Sequence, residues 1–323
     1  MAKQNNKKIN TVGLIGLGLM GQGIASCLIA NRLRLVGYSR SPERETQTRA
    51  RIAEALEQLA ERKFIPRSRI SGWEQRFVFV RSLEDLRQCP FIIETVKEDL
   101  ALKRTIYDRL ESFLPPGTVI ASNTSSIPIS LIQQGRKHPE RFIGMHWAEP
   151  AEITRYLEII RGEHTSDRTV RLTRQLGETC GKEPSVLNFD IRGFISNRLM
   201  YAMMREACHL VETGVADVET VDRSFRNDIG WWAALAGPFR WMDLTGIPLY
   251  ATVMEGLFPE LSDNKSLPKL MKDTVAGGAE GISNKKGFYN YSEAGAREWE
   301  KAWIDFTYDI RKLVEKYEKR VKF

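Results

Sequence analysis

Long apolar runs are missing from this chain of 323 residues. No stretch approaches the roughly 20 residues that cross a bilayer, and the polar start from Met1 to Lys8 has no apolar centre of the kind a secretory leader carries. A cytoplasmic protein with no membrane partner is the expectation. Cysteine is scarce: Cys27, Cys89, Cys180 and Cys208 are scattered, mostly inside apolar stretches, without the close spacing of a metal site or a small disulfide framework. They read as buried, reduced thiols, and no metal is expected. Also absent is a basic stripe interleaved with aromatics. The formal charge is +7, but 48 basic residues are spread among 41 acidic ones, so the expected partner is an anionic small molecule and not a nucleic acid. The most basic stretches, Arg62-Lys63 with Arg67 and Arg69, and the tail from Arg311 to Lys322, read as solvated helix faces. No internal repeat or low-complexity segment stands out.

What is present is an ordinary globular composition, 42% hydrophobic, in a chain long enough for two domains. Ile52, Ala55, Leu56 and Leu59 recur at helical spacing, which predicts an amphipathic helix from Glu43 to Phe64, ending before Pro66. Strand-like runs follow at Phe77 to Val80, Phe91 to Thr95, Thr118 to Ser122, Phe142 to His146 and Tyr156 to Ile160, with helical segments such as Asp99 to Phe113 between them. That alternation predicts a parallel, doubly wound α/β sheet of the Rossmann type, covered by helices on both faces. Beyond Pro184 to Asn188 the pattern turns helical, at Ile191 to Gly214 and Val218 to Asn227, with no convincing strand after it. The expected division is therefore 1–188 for a nucleotide-binding domain and 189–323 for an all-helical substrate and dimerisation domain.

The first strand leads directly into Gly16-Leu17-Gly18-Leu19-Met20-Gly21, and apolar residues at helical spacing continue to Ala30. Strand, glycine turn and helix in that order read as a dinucleotide site. Gly16 permits the tight turn, Gly18 lets backbone approach a pyrophosphate, and Gly21 lets helix and strand pack closely, while Leu19 and Met20 open a helix whose N–H groups face the phosphates. A strand like Leu33 to Tyr38 usually ends in an acid that bonds the ribose 2′-hydroxyl of NAD. Here Ser39-Arg40-Ser41 stands there, with Arg44 nearby, and a guanidinium with two hydroxyls suits a 2′-phosphate. NAD or NADP is the expected cofactor, with a lean toward NADP; the alternative is that Arg40 only caps a turn before Pro42.

Candidate chemistry gathers at predicted strand ends. His146 closes the strand of Gly144-Met145-His146-Trp147, at the edge where ligands bind in open α/β sheets, and an imidazole can exchange a proton with an alcohol near neutral pH. Glu158 lies inside Leu157-Glu158-Ile159-Ile160, where a buried carboxylate is costly unless paired, so a His146–Glu158 pair is expected; the alternative is an exposed edge-strand glutamate. Ser122-Asn123-Thr124-Ser125-Ser126 follows another strand and reads either as a helix cap or as a source of hydroxyls for a substrate oxygen. Asn197, in Gly193-Phe194-Ile195-Ser196-Asn197-Arg198, opens the helical domain.

Taken as an ordered set, these segments resemble the 3-hydroxyacyl-CoA dehydrogenase family over almost the whole chain. The shared residues are the GLGLMG turn, Glu94-Thr95-Val96-Lys97-Glu98, SNTSS at 122–126, GMHWAEP at 144–150, LEII at 157–160, GFISNRL at 193–199, Gly237-Pro238 and Lys286-Gly287-Phe288-Tyr289. The resemblance implies an NAD(P)-dependent oxidoreductase acting on a secondary hydroxyl of a 3-hydroxyacyl-CoA or a related hydroxy acid. By that resemblance His146 is the catalytic base and Glu158 its carboxylate partner. Ser125 and Asn197 hold the reacting substrate, Glu98 and Lys103 make cofactor-side contacts, and a homodimer forms through the helical domain.

The departures concern the substrate. Glu149 stands where the family commonly has asparagine, Ala55 replaces a hydroxyl in the helix that resembles the CoA-contacting one, leaving Arg62 as its phosphate contact, and Gly230-Trp231-Trp232-Ala233-Ala234 brings two indoles to a turn that is usually less aromatic. The second domain is also similar to relatives that act on hydroxy acids without CoA, among them carnitine and gulonate dehydrogenases and a pyridine-carboxylate dehydrogenase. Two other readings compete. A short-chain β-hydroxyacid dehydrogenase has a similar glycine turn but needs a lysine in a mid-chain helix, where Glu183-Pro184 follows Lys182 here. A non-catalytic dinucleotide-binding protein, like the lens crystallins derived from the family, has no need of Ser125, His146, Glu158 and Asn197 together.

Overall fold

Short runs of β-branched and aromatic residues, bounded by glycine, proline and polar turns, build the sheet. In the computed structural model, which describes residues 9–320, the strands are β1 (Thr11–Ile15), β2 (Arg34–Tyr38), β3 (Phe77–Val80), β4 (Phe91–Glu94), β5 (Val119–Ser122), β6 (Phe142–Trp147), β7 (Tyr156–Ile160) and β8 (Glu183–Leu187). They form one eight-stranded sheet in the order β3-β2-β1-β4-β5-β6-β7-β8. The polar start Met1 to Lys8 and the last residues of the basic tail, from 321 on, lie outside the described residues. Helices α1 (Leu19–Ala30), α2 (Glu43–Glu61), α3 (Leu100–Phe113), α4 (Ile129–Gln133) and α5 (Asp167–Thr179) connect the strands. Among the described residues no helix is long and apolar enough to cross a membrane.

Three details differ from the sequence expectation. The sheet is not wholly parallel: β7 runs antiparallel to β6, and β8 pairs parallel with β7. The link from Trp147 to Tyr156 is too short for a helical crossover, so the chain can only turn back beside the strand it has just left. Helix α2 stops at Glu61 and not at Phe64, because Lys63 takes a left-handed φ of 65° and the Phe64 N–H reaches back to the Leu59 carbonyl at 2.8 Å. The first helix after the sheet, α6 (Ser196–Glu212), starts later than Ile191, since Gly193 and Phe194 have φ of 82° and 52°, outside the right-handed helical region.

The chain divides into two compact units, Met1–Ser196 and Asn197–Phe323. The second carries most of α6, then α7 (Val218–Asn227), α8 (Ile229–Ala233), α9 (Gly237–Thr245), α10 (Ile247–Leu257), α11 (Lys269–Ala276) and α12 (Glu293–Glu318), and no named strand among the described residues. None of the residues of α6 to α11 is buried. None of the four cysteines is in a disulfide; Cys27, Cys89 and Cys180 are buried, while Cys208 on α6 is only half-buried.

The core of the first unit is mainly apolar, with a few paired charges enclosed in it. Leu14, Ile15, Ile24, Leu28, Leu35, Ile92, Ile93, Val119 and Ile120 are almost fully enclosed, and Glu94 at the end of β4 is enclosed with them. Its carboxylate accepts from Lys103 Nζ at 2.7 Å, from Ser122 Oγ at 2.8 Å, from the Val96 N–H at 2.7 Å and from the Tyr107 hydroxyl. Removing one partner of a buried ion pair leaves an uncompensated charge and typically costs about 3 kcal/mol or more. Lys103→Met should therefore lower stability by about that amount, read from the urea midpoint of the purified chain; an unchanged midpoint would mean that the hydroxyls alone satisfy Glu94.

Candidate active site

The glycine turn is built for close approach. The Gly16 N–H bonds the Tyr38 carbonyl at 3.1 Å, and Gly16 sits at a φ of 94° that favours glycine. A Cβ on Gly21 would lie 2.0 Å from the Gly16 carbonyl oxygen, so no other residue fits without moving the turn. Nothing lies within 4 Å of the space beside Gly18, which precedes α1 and offers its first N–H groups no side-chain cap. Open backbone donors at the start of a helix, over a turn with no side chains, fit the pyrophosphate of a dinucleotide. At the end of β2, Ser39 Oγ accepts the Ser41 N–H at 3.2 Å and Arg40 is exposed.

Between β4 and α3, Glu98 pins the loop after β5. One carboxylate oxygen accepts from Thr124 Oγ at 2.5 Å, from the N–H groups of Ser125 and Ser126 at 3.0 and 2.9 Å, and from Ser126 Oγ at 3.1 Å. Burial pushes this carboxyl up, but the bonds from Thr124 and Ser126 and the Lys103 charge outweigh it and hold the group below its ordinary range. Lys103 is enclosed between Glu94 and Glu98, 3.7 Å from the latter. The loop therefore has a fixed course, with Ser125 exposed on it. Its Asn123 side chain accepts the Trp147 N–H at 2.8 Å, which ties it to the end of β6.

The reversal at β7 sets the central pair. Antiparallel register places Glu158 directly opposite His146, and directly opposed residues project to the same face. Both are buried, at 2% and 8% exposure, so the alternative of an exposed edge-strand glutamate does not hold. Glu158 Oε2 lies 3.2 Å from His146 Nδ1. Its other oxygen, Oε1, accepts the N–H groups of Ile195 and Ser196 at 3.0 and 2.9 Å, which the left-handed turn at Gly193 and Phe194 presents side by side. Burial pushes the Glu158 carboxyl up; the bonds from His146, Tyr156 and the Ser196 backbone more than offset it, so the group stays ionised below the usual carboxylate range.

Tyr156 is the residue that the sequence reading missed. Its hydroxyl lies 2.7 Å from Glu158 Oε2, 2.9 Å from His146 Nδ1 and 2.7 Å from Ser196 Oγ. The signal was available, since Tyr156 and Glu158 are two apart on one strand and must share a face. Burial and the adjacent Glu158 charge push the phenol well above its ordinary value, against the opposing Ser196 bond, so it remains neutral. The imidazole is also held by ring contacts, edge-on to Tyr156 at 5.6 Å and tilted against Phe194 at 5.5 Å between centroids. With Nδ1 taken up by this network, Nε2 is the nitrogen left for proton exchange.

The other expected residues are more dispersed. Arg62 directly follows α2 and is half-buried, and Asn197 is the first residue of the second unit. Glu149 follows β6 and faces α1: its Oε2 and that of Glu152 both lie 3.4 Å from where a Cβ on Gly23 would stand. Glu152 is buried and ion-paired with Arg51. Burial and the Glu152 charge push the Glu149 carboxyl up, with Arg51 opposing. Of the two indoles noted in the sequence, Trp231 is 83% exposed, while Trp232 stacks on Trp241 at 5.2 Å beside a hollow of about 330 Å³ that Asp228, Tyr250, Met242 and Met254 also line. No cluster of three or more metal-ligating side chains occurs among the described residues.

Comparison with known proteins agrees with this architecture. The family signature described as 3-hydroxyacyl-CoA dehydrogenase, NAD binding domain, matches residues 11–190, and that of the 3-hydroxyacyl-CoA dehydrogenase C-terminal domain matches 193–291. The chain is 32% identical over 289 residues to 5-formyl-3-hydroxy-2-methylpyridine 4-carboxylate 5-dehydrogenase of Mesorhizobium japonicum, covering 88% of this chain and 91% of that one. It is 32% identical over 287 residues to 3-hydroxybutyryl-CoA dehydrogenase of Bradyrhizobium diazoefficiens, covering 88% and 97%. Among solved structures, the pyridine-carboxylate dehydrogenase, described as an NAD+ dependent dismutase, superposes with a TM-score of 0.88 at 30% identity, over 95% of this chain and 99% of that one. The (S)-3-hydroxybutyryl-CoA dehydrogenase of Ralstonia eutropha superposes with a TM-score of 0.74 at 31% identity, over 88% and 100%.

Because the folded-state carboxyl of Glu158 is depressed, its stabilisation is present above the ordinary carboxylate pKa of about 4.3 and is lost as pH falls through the depressed value. The stability gap between the native chain and Glu158→Gln should thus be widest at neutral pH and close on acidification below about pH 4. Urea unfolding at a series of pH values measures it; a gap that widens toward acid would contradict the assignment of the charge.

Proposed function

The chain belongs to the 3-hydroxyacyl-CoA dehydrogenase family, and from that premise we propose that it is an NAD-dependent dehydrogenase interconverting a secondary hydroxyl and a ketone on an acyl-CoA or related hydroxy acid. The observation that carries the reading is the imidazole of His146, held at Nδ1 by a buried carboxylate and open at Nε2, at the carboxyl end of β6 in a sheet whose first turn fits a dinucleotide. When bound, NAD supplies the acceptor for a hydride. The glycine turn and the start of α1 would hold its pyrophosphate, and Glu98 with Lys103 would stand on the cofactor side. His146 removes the hydroxyl proton at Nε2 in oxidation and returns it in reduction, while Glu158 stabilises the charge that the ring acquires. Ser125 and Asn197 orient the reacting oxygen, and Arg62 meets the phosphate of a CoA-linked substrate.

Two finer features belong to the same proposal. Arg40 and Ser39 accept the 2′-phosphate of NADP, so that both cofactors are used; the lack of an acid at the end of β2 supports this. The helical unit forms a homodimer, and what supports that is its uncovered apolar surface, with Trp231, Phe239, Leu249 and Phe258 each at least 60% exposed.

Loss of a general base typically costs on the order of a hundred- to ten-thousand-fold. His146→Ala should lower turnover by that order, in a spectrophotometric assay of NADH formation over a panel of hydroxyacyl-CoAs and hydroxy acids, while NAD binding measured by calorimetry persists; near-normal turnover would refute the role. Arg40→Asp should weaken NADP far more than NAD in the same titration, and equal effects would remove the claim for the 2′-phosphate.

A further inference from the structure

The protons around Tyr156 can be placed one by one. Glu158 Oε2 is ionised and can only accept, and the Tyr156 hydroxyl approaches it more closely than His146 Nδ1 does, at 2.7 Å against 3.2 Å. A phenol has one proton, and the charged acceptor takes it. The phenol oxygen then has only lone pairs left, so whatever lies within bonding distance of it must donate. Ser196 Oγ, at 2.7 Å, can do so with its hydroxyl. His146 Nδ1, at 2.9 Å, can do so only if it carries a proton. This assignment leaves no polar atom in the group without a partner: Oε1 has its two backbone donors, Oε2 has the phenol and a longer approach from the ring, and the phenol has one acceptor and two donors.

From this we propose that Tyr156 is a positioning residue interposed between base and carboxylate, so that His146 donates from Nδ1 mainly to a neutral phenol and reaches the Glu158 charge through it. The inference rests on His146 acting as the base. The phenol fixes the tautomer, with the proton on Nδ1 and the lone pair on Nε2, and it holds the ring edge-on so that Nε2 keeps one direction. It also takes up part of the charge of Oε2, which a direct imidazole–carboxylate contact would otherwise receive whole. Ser196 belongs to the same device: its backbone N–H serves Oε1 and its hydroxyl serves the phenol, so the turn that starts α6 and the base on β6 are set by one carboxylate. The Gly193-Phe194-Ile195-Ser196 segment thereby contributes two amides to Glu158, a hydroxyl to Tyr156 and the Phe194 ring to His146.

Uniformly ¹⁵N-histidine-labelled full-length chain tests this by NMR, with the His146 signals identified by their loss in His146→Asn. In the unaltered protein at neutral pH, the protonated nitrogen should be Nδ1; a proton on Nε2 instead would overturn the proposal without any variant. In Tyr156→Phe the ring must bond the carboxylate directly, so the Nδ1 proton should move downfield. Turnover of 3-hydroxybutyryl-CoA with NAD as probe substrates should fall on the order of ten- to a hundredfold in kcat, with KM unchanged because the phenol's bonds go to Glu158, His146 and Ser196. A Nδ1 proton at the same position in Tyr156→Phe would overturn the proposal whatever turnover does. His146→Asn separates the two readings: undiminished turnover there refutes the base itself, whereas lost turnover with an unmoved Nδ1 proton in Tyr156→Phe refutes the interposed phenol alone.

Discussion

One buried carboxylate organises this protein's candidate chemistry. Glu158 is ionised inside the fold only because donors reach both of its oxygens: two backbone amides from the turn before α6 on one, and the Tyr156 hydroxyl with the His146 ring on the other. An unpaired charge at that depth would be expelled or neutralised. The carboxylate therefore dictates where β6, β7 and the Gly193–Ser196 turn must lie, and the imidazole orientation follows from it. Fold and site share one constraint here: the antiparallel step at β7 is what puts Glu158 opposite His146, and a parallel crossover would have placed another residue there.

A second buried acid performs the same kind of task three strands away, on β4. Glu94 collects Lys103, Tyr107, Ser122 and the Val96 amide, and through Lys103 it neighbours Glu98, which holds the SNTSS loop by its hydroxyls and amides. Asn123 of that loop bonds the strand end next to His146. The sheet edge is thus a linked set of acceptors and donors reaching from β4 to β7. Loops that carry functional groups are ordinarily the mobile part of an α/β protein; these are fixed to the sheet by charge-assisted bonds, which suits a site whose groups must be in place before a cofactor and a substrate arrive.

Much of this was legible in the sequence because periodicity and glycine placement are local. The GLGLMG turn, the strands through β7 and the helix over Leu100–Phe113 follow from residues close together in the chain, and Asp99 caps that helix by accepting the Leu102 amide at 2.9 Å. The pairing of His146 with Glu158 was legible from the cost of burying Glu158. The reversal of β7 was not, since strand direction depends on the length of a connection and not on the strand's own pattern. Nor was the role of Tyr156, whose partners His146 and Ser196 come from other segments, or the depth of Lys103, whose partner Glu94 reads in the sequence as an ordinary strand end. The start of α6 is not legible because apolar spacing continues through Gly193 and Phe194, where left-handed backbone interrupts the helix.

What unites these observations is a directional proposal: His146, fixed at Nδ1 and proposed as the base, would present Nε2 to the place where a nicotinamide ring and a substrate oxygen meet. The most direct measurement is a crystal structure of the full chain soaked with NAD. The account expects the pyrophosphate over Gly16 to Gly21 and the nicotinamide at the carboxyl end of β5 and β6, on the side that Nε2 faces, with room for one substrate oxygen between ring and imidazole. A nicotinamide bound on the far side of the sheet edge, with Nε2 turned away from it, would contradict the account at its centre.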